Sequence, residues 1–281
     1  MSKYQSPRPP LPLDWLDPTL DRCRVAIEHG VERSWQKTGS TGQATVTNLD
    51  LDIEDALVTA IQARFPRAAV VSEERHPDAS VLTAPMCFVI DPIDGTEELL
   101  AGRPGFSISV ALFHGGKPHA AVLDFPARGH RFSCGAGLGA WLGDSQIRLR
   151  QSGALEKARI VVSATQRRSP ELLNVWSSLK VADTIPIPAF TPKFAALLLG
   201  DCDAAVHLPV DTRTTFVWDY AAAAMLLVRA GGLFTSWSGV DFLSDLPHKH
   251  TGGWLASTSQ DLHRKLRASL EQLLETHTRD R

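Results

Sequence analysis

The ten residues DPIDGTEELL, at 91–100, decide how this sequence is read. An apolar run at 87–90 reads as a buried strand that ends abruptly in Asp91, and a second aspartate, Asp94, follows three residues on. Pro92 stiffens the exit, so both carboxylates are delivered into one small space. Carboxylates that close repel each other unless a cation stands between them, and hard oxygen ligands suit Mg2+ or Mn2+ better than zinc. Asp94-Gly95-Thr96 then opens a short helix, whose free N–H groups and positive dipole end favour a phosphate. A plainer reading exists, in which Asp94 caps a helix and Asp91-Pro92 makes a turn. The combination of apolar strand, spaced aspartates, glycine and threonine favours a metal and phosphate site over that reading.

Working outward, a second apolar run at 68–71 also ends in acids, Glu73 and Glu74. Upstream, VTNLD at 46–50 opens a helix that runs to the stop signal Pro66, and Asp50 complements its N-terminal dipole. A Gly/Ser/Thr-rich loop is expected at 38–45, behind a helix over 16–35. Downstream, SISVALF (107–113), HAAVLDF (119–125) and the glycine-punctuated 129–143 read as a strand meander. Polar residues at 151–157 mark the expected boundary between a half spanning 1–152 and a half spanning 153–281. In the second half the pattern predicts a strand at RIVVSAT (159–165), helices at 170–180 and 192–199, a strand at 204–208 and a helix at 220–230 closed by Gly231-Gly232. A final helix is expected at 260–275. Asp219, just ahead of an alanine-rich run, reads either as an ordinary cap or as a ligand.

The chain has 281 residues, 43% apolar, enough for one large unit or two closely packed halves. A net charge of −2, with no basic stripe interleaved with aromatics, argues against nucleic acid and anionic membrane as partners. Four cysteines without a CxxC pair indicate neither structural zinc nor a disulfide framework. With no apolar N-terminal stretch and no bilayer-length run, a soluble cytoplasmic protein is expected. The ten histidines are scattered and read as surface residues.

At this point the sequence resembles the inositol monophosphatase family, Mg2+-dependent, lithium-sensitive phosphatases whose superfamily includes 3′(2′),5′-bisphosphate nucleotidases and histidinol-phosphate phosphatases. DPIDGT resembles its signature, and VTNLD, VSEER (71–75) and WDYAAAAMLLVRAGG (218–232) are similar to its other blocks, in family order. The resemblance implies an α/β (α+β) fold, the layered αβαβα sandwich of the inositol monophosphatase and fructose-1,6-bisphosphatase type, and a homodimer. It implies two or three Mg2+ ions, with Mn2+ as a substitute, held by Glu73, Asp91, Asp94, Asp219 and the carbonyl of Ile93. Glu73 is preferred to Glu74 on the family match alone. By the same resemblance Thr96 and Glu73 orient the attacking water, Asp50 pairs with the Thr96 hydroxyl, and the amides of Gly95 and Thr96 hold phosphate oxygens. Asp219 and Arg213 would face the substrate, and Lys37 matches a family lysine near the outer metal.

The reaction so implied is hydrolysis of a small phosphorylated metabolite. Inositol-specific members usually carry a glutamate where this chain has Thr212, which argues against inositol phosphate. GTEEL at 95–99 matches the nucleotidase pattern in part, and AGRPGF at 101–106 resembles histidinol-phosphate phosphatases. Arg213, Arg167 and Arg168 are candidates to meet an anionic part of the substrate. A non-catalytic binding protein on this fold is the distant alternative, and the complete set of motif residues argues against it.

Overall fold

A computed structural model describes residues 8–39, 42–75, 79–151 and 153–279, without side-chain detail at 37–39, 42–44, 79–80 and 277–279. Helix α1 (Asp17–His29) begins with proline in its first turn and stops at Gly30, whose φ of +91° no right-handed helix continues. The helix expected over 16–35 is therefore cut short. The loop expected at 38–45 is in large part a hairpin, β1 (Ser34–Gly39) against β2 (Gly42–Thr47), whose second strand closes on the β-branched run Thr45-Val46-Thr47. Helix α2 (Asn48–Arg64) starts in a reciprocal capping box: Thr47 Oγ1 accepts from the Asp50 N–H, and the Asp50 carboxylate accepts from the Thr47 N–H.

The chain continues through β3 (Ala69–Ser72), β4 (Met86–Asp94), α3 (Thr96–Leu100), β5 (Ser107–His114), β6 (Lys117–Phe125), β7 (His130–Gly135), β8 (Gly139–Leu142) and β9 (Ser145–Gln146). The second half supplies β10 (Arg159–Ser163), α4 (Ala164–Arg168), α5 (Leu173–Ser178), β11 (Asp183–Ile187), α6 (Thr191–Leu199), β12 (Ala204–His207), β13 (Thr214–Phe216) and α7 (Val217–Arg229). It ends with β14 (Leu233–Ser236), α8 (Phe242–Asp245), β15 (Lys249–Thr251), β16 (Trp254–Ser257) and α9 (Gln260–Arg279). Strands β3 to β9 form one sheet in chain order, parallel between β3 and β4 and antiparallel thereafter, so the expected meander is present. A five-stranded sheet runs β11-β10-β12-β16-β14.

The period of two along β4 sorts its residues between two cores. Phe88 and Ile90 pack with Leu20, Ile53, Leu57 and Ile61 of α1 and α2. Cys87 and Val89 turn the other way, into a core shared with α6, α7 and the inner face of the second sheet. Helix α7 lies buried between the two sheets, and its alanines 221–224, all fully buried, leave room for the closely packed neighbours. On the far side, Trp176, Leu262, Leu266 and Leu270 of α5 and α9 cover Val162 and Val206 of the second sheet. The order of layers is helix, sheet, helix, sheet, helix: the αβαβα sandwich. The surface reading of the histidines fails at His207 and His263, both buried, because each finds polar partners inside: Asp211 for one, Ser257 and Thr235 for the other. All four cysteines are free and buried.

Candidate active site

Strand β4 carries its apolar run straight into Asp91, whose residue is 1% exposed. The pairing with β5 then shifts register between Asp91 and Asp94, so a local irregularity re-aims the chain as it leaves the sheet. Burial pushes the Asp91 carboxyl well above the usual carboxylate range, and the neighbouring charges of Glu73, Asp94, Asp219 and Asp50 push it further. One of its oxygens, Oδ1, is buried with no hydrogen-bond partner among the described residues. Glu73 is brought alongside because its N–H donates to the carbonyl of Ile90 at 3.3 Å, extending the β3–β4 pairing by one residue.

Beyond the bulge, Gly95 holds a φ of +93°, and a Cβ there would come within 2.7 Å of the Gly105 carbonyl oxygen. Only glycine lets the backbone approach so closely at that turn. Thr96 then points its hydroxyl at two acceptors, Asp50 Oδ1 and the Ile93 carbonyl, each at 3.2 Å. Asp50 is itself fixed by the Thr47 N–H at 2.8 Å and the Thr47 hydroxyl at 2.6 Å. Burial raises the Asp50 carboxyl above its ordinary value, and the hydrogen bonds from Thr47 oppose that rise. A hydroxyl owns one proton, so with that proton turned to Asp50 or Ile93 the lone pairs of Thr96 are left to accept.

The second half contributes the first turn of α7, where Asp219 accepts the Phe216 N–H at 2.7 Å. The cap reading of Asp219 is thus met, and its charge also bears on Asp91. Burial pushes the Asp219 carboxyl up to about 7, with Asp94 adding to the rise while the Phe216 N–H and Lys193 oppose it. Asp94 is held by Phe190 and Thr191 at the start of α6. Arg213 is exposed; its guanidinium lies 3.5 Å from the Thr165 hydroxyl, and its charge reaches Lys193. The side chain of Lys37 lies outside the described residues.

Two residues escaped the sequence reading. Lys193 is a single charge in the apolar run TPKFAALLL, is buried, and senses both Asp94 and Asp219. Thr191 precedes Pro192, a helix-start signal that marked α6 without showing what its free donors hold.

Among the described residues no three His, Cys, Asp or Glu side chains close into a ready-made ligand set. What the site does offer is a crowd of hard oxygen donors around a buried, unsatisfied carboxylate oxygen, which fits a small divalent cation. The fold and this site define a layered α/β protein with an acidic, cation-seeking crest where one sheet meets the helices between the sheets. The model of the inositol monophosphatase family matches residues 24–275, and the chain belongs to that family. Its members are phosphatases, phosphoric monoester hydrolases, generally dependent on Mg2+. The chain is similar to the Nus factor SuhB of Pseudomonas aeruginosa, 32% identical over 69% of this chain and 73% of the relative. It is also similar to a histidinol-phosphatase of Chlorobaculum parvum, 26% identical over 88% of this chain and 91% of the relative. Among solved structures, an inositol monophosphatase of Thermotoga maritima superimposes with a TM-score of 0.77 at 21% identity, over 94% of this chain and 98% of the other. That likeness concerns the fold. No helix among the described residues is long and apolar enough to cross a membrane.

Proposed function

We propose that this chain is a Mg2+-dependent phosphomonoesterase that hydrolyses a small phosphorylated metabolite by direct attack of water. The observation that carries the reading is the buried Asp91 carboxyl, crowded by Glu73, Asp94 and Asp219 and left with an unsatisfied oxygen. Such a group is costly in isolation and becomes favourable once a cation is shared among the carboxylates. The donors assigned to two or three Mg2+ ions are Glu73, Asp91, Asp94, Asp219 and the Ile93 carbonyl. Bound there, Mg2+ supplies charge neutralisation and acidifies water.

The chain's own residues do the rest. Asp50, fixed by Thr47, takes the Thr96 hydroxyl proton in a hydrogen bond, which leaves Thr96 a lone pair to receive a proton of the attacking water. Glu73, whose charge bears on Asp91, is assigned to orient that water as well. The amides of Gly95 and Thr96, at a turn packed so closely on Gly105 that residue 95 has no room for a Cβ, are assigned to hold phosphate oxygens. Little covalent work is asked of the protein in phosphoryl transfer, so positioning and charge supply most of the acceleration.

The leaving group is assigned to a cleft of about 850 Å³ lined by Glu97, Glu98 and Arg103 on one side and Thr165, Arg168 and Pro188 on the other. Arg168 there, with Arg213 beside Thr165, favours a substrate carrying an anionic group besides the scissile phosphate. A bisphosphorylated nucleotide meets that description and histidinol phosphate does not, whereas the relative named histidinol-phosphatase supports the latter. A homodimer is proposed on family grounds. The relative named as a Nus factor supports a second reading, a binding role without turnover.

Phosphate release with Mg2+ tests the choice, across 3′-phosphoadenosine 5′-phosphate, inositol 1-phosphate, histidinol phosphate, fructose 1,6-bisphosphate and AMP. One dominant substrate is expected, with KM raised about tenfold or more by Arg168→Gln if it carries a second anion. No release from any member of the panel would favour the binding role.

A further inference from the structure

Asp94 leaves the first sheet at the end of β4, yet its carboxylate is held by the second half of the chain. Thr191, 97 residues away, donates to Oδ2 through both its N–H and its hydroxyl, each at 2.5 Å, and the Phe190 N–H donates to Oδ1 at 3.3 Å. These are the free donors at the start of α6, a helix that makes no side-chain cap of its own. Asp94 therefore caps a helix to which it is not connected in sequence.

Proton counting gives the arrangement a direction. The Thr191 hydroxyl, fully buried, also lies 2.6 Å from Ser107 Oγ, and Ser107 is the ladder partner of Asp94 on β5. If Thr191 gives its one proton to the carboxylate, the Ser107 hydroxyl must donate to Thr191. The chain of donors runs Ser107 to Thr191 to Asp94. Two residues further on, Lys193 Nζ donates to the carbonyls of Pro188, at 3.1 Å, and Ala189, bracing the turn that presents Phe190 and Thr191.

We infer that Thr191 is a positioning residue of the cation site: it fixes the Asp94 carboxylate so that the remaining lone pairs face the other carboxylates, and it makes cation affinity depend on the seating of α6. The inference rests on Asp94 being a cation ligand, as proposed above. Removing a partner that orients a ligating carboxylate costs about 10- to 100-fold in metal affinity. A bulk packing role would lower thermal stability and leave affinity alone.

The experiment is Mn2+ binding to the full chain without substrate, followed by electron paramagnetic resonance, for the parent, Asp94→Asn, Thr191→Val and Thr191→Ser. Thr191→Val is expected to weaken Mn2+ binding by about 10-fold or more, and Thr191→Ser, which keeps the hydroxyl, to return it to within about threefold. Thr191→Ala is read in the same way if the valine variant does not fold. Affinity within about twofold of the parent in the hydroxyl-free variant, with Asp94→Asn weakened, would overturn the role of Thr191 alone. Unchanged affinity in Asp94→Asn would overturn the ligand reading beneath it.

Discussion

Two aspartates on the first sheet are equally buried and oppositely treated. Asp91 on β4 is 1% exposed, carries an oxygen without a partner and is crowded by like charges. Asp124 on β6 is fully buried, yet Arg24 grips both its oxygens, at 2.8 and 2.5 Å, and Arg131 adds a third bond at 2.8 Å. Through the register of β5 the two lie one step apart in alternation: Asp91 pairs with Ser109, and Asp124 with the adjacent Ile108. They consequently point to opposite faces of the sheet, Asp124 toward the α1 and α2 layer and Asp91 toward α7. Arg131 continues from Asp124 to Asp17 and Asp21 of α1, so the paired aspartate fastens a helix to the sheet. A buried charge answered by guanidiniums is architecture. A buried carboxyl surrounded by other carboxylates has no such answer within the protein, and that is the ground on which a cation site is proposed there.

The largest expected effect falls on turnover. Asp91→Asn should lower kcat by about 10³- to 10⁵-fold, because a shared cation supplies several kcal/mol of transition-state stabilisation. The same substitution should raise the melting temperature of the metal-free protein, since it removes a crowded charge. Asp124→Asn should do the reverse. It should cost about 3–5 kcal/mol in chemical denaturation, by stranding two guanidiniums, while the surviving activity keeps its Mg2+ dependence. If both variants lost stability alike, the distinction between the two aspartates would collapse.

A pH series sharpens the contrast. Asp91 is raised well above the ordinary range and Asp219 to about 7, so between about pH 4 and 7 the native state keeps protons that the unfolded chain has released. The contribution of these groups to metal-free stability therefore falls as pH rises through that window, and saturating Mg2+ should flatten the slope. A metal-free slope unaltered by Asp91→Asn would count against the crowding. The smallest effect is expected at Thr47→Ala, about 1 kcal/mol from the lost cap, accompanied by slower turnover as Asp50 loosens. Full activity in that variant would detach Asp50 from the Thr96 hydroxyl.

Much of the crest was legible in sequence because it is local. DPIDGT places a strand end, a glycine turn and a helix start within a few residues, each with its own chemical signature, although the strand expected to stop at Asp91 runs on to Asp94 through a register shift that no residue pattern announced. The αβαβα order was legible through the resemblance, and the meander through its apolar runs punctuated by glycine turns. The hairpin at 34–47 was not, since neither strand carries a strong apolar period and the expected helix ran on past Gly30. Thr191 and Lys193 were illegible for a different reason. Their partners lie in the other half of the chain, and no local pattern states that the donors of one helix will meet an aspartate 97 positions earlier. The Asp124 cluster was missed likewise, because Arg24 is 100 residues from the carboxylate it grips.

The most direct measurement is the melting temperature of the parent and of Asp91→Asn, each with and without Mg2+. A ligand that binds only the folded state stabilises it by mass action, by about 2.7 kcal/mol at a hundredfold excess over Kd. Mg2+ is expected to raise the melting temperature of the parent by several degrees and to leave that of Asp91→Asn nearly unmoved. An equal rise in both would contradict the assignment of Asp91 to a cation site.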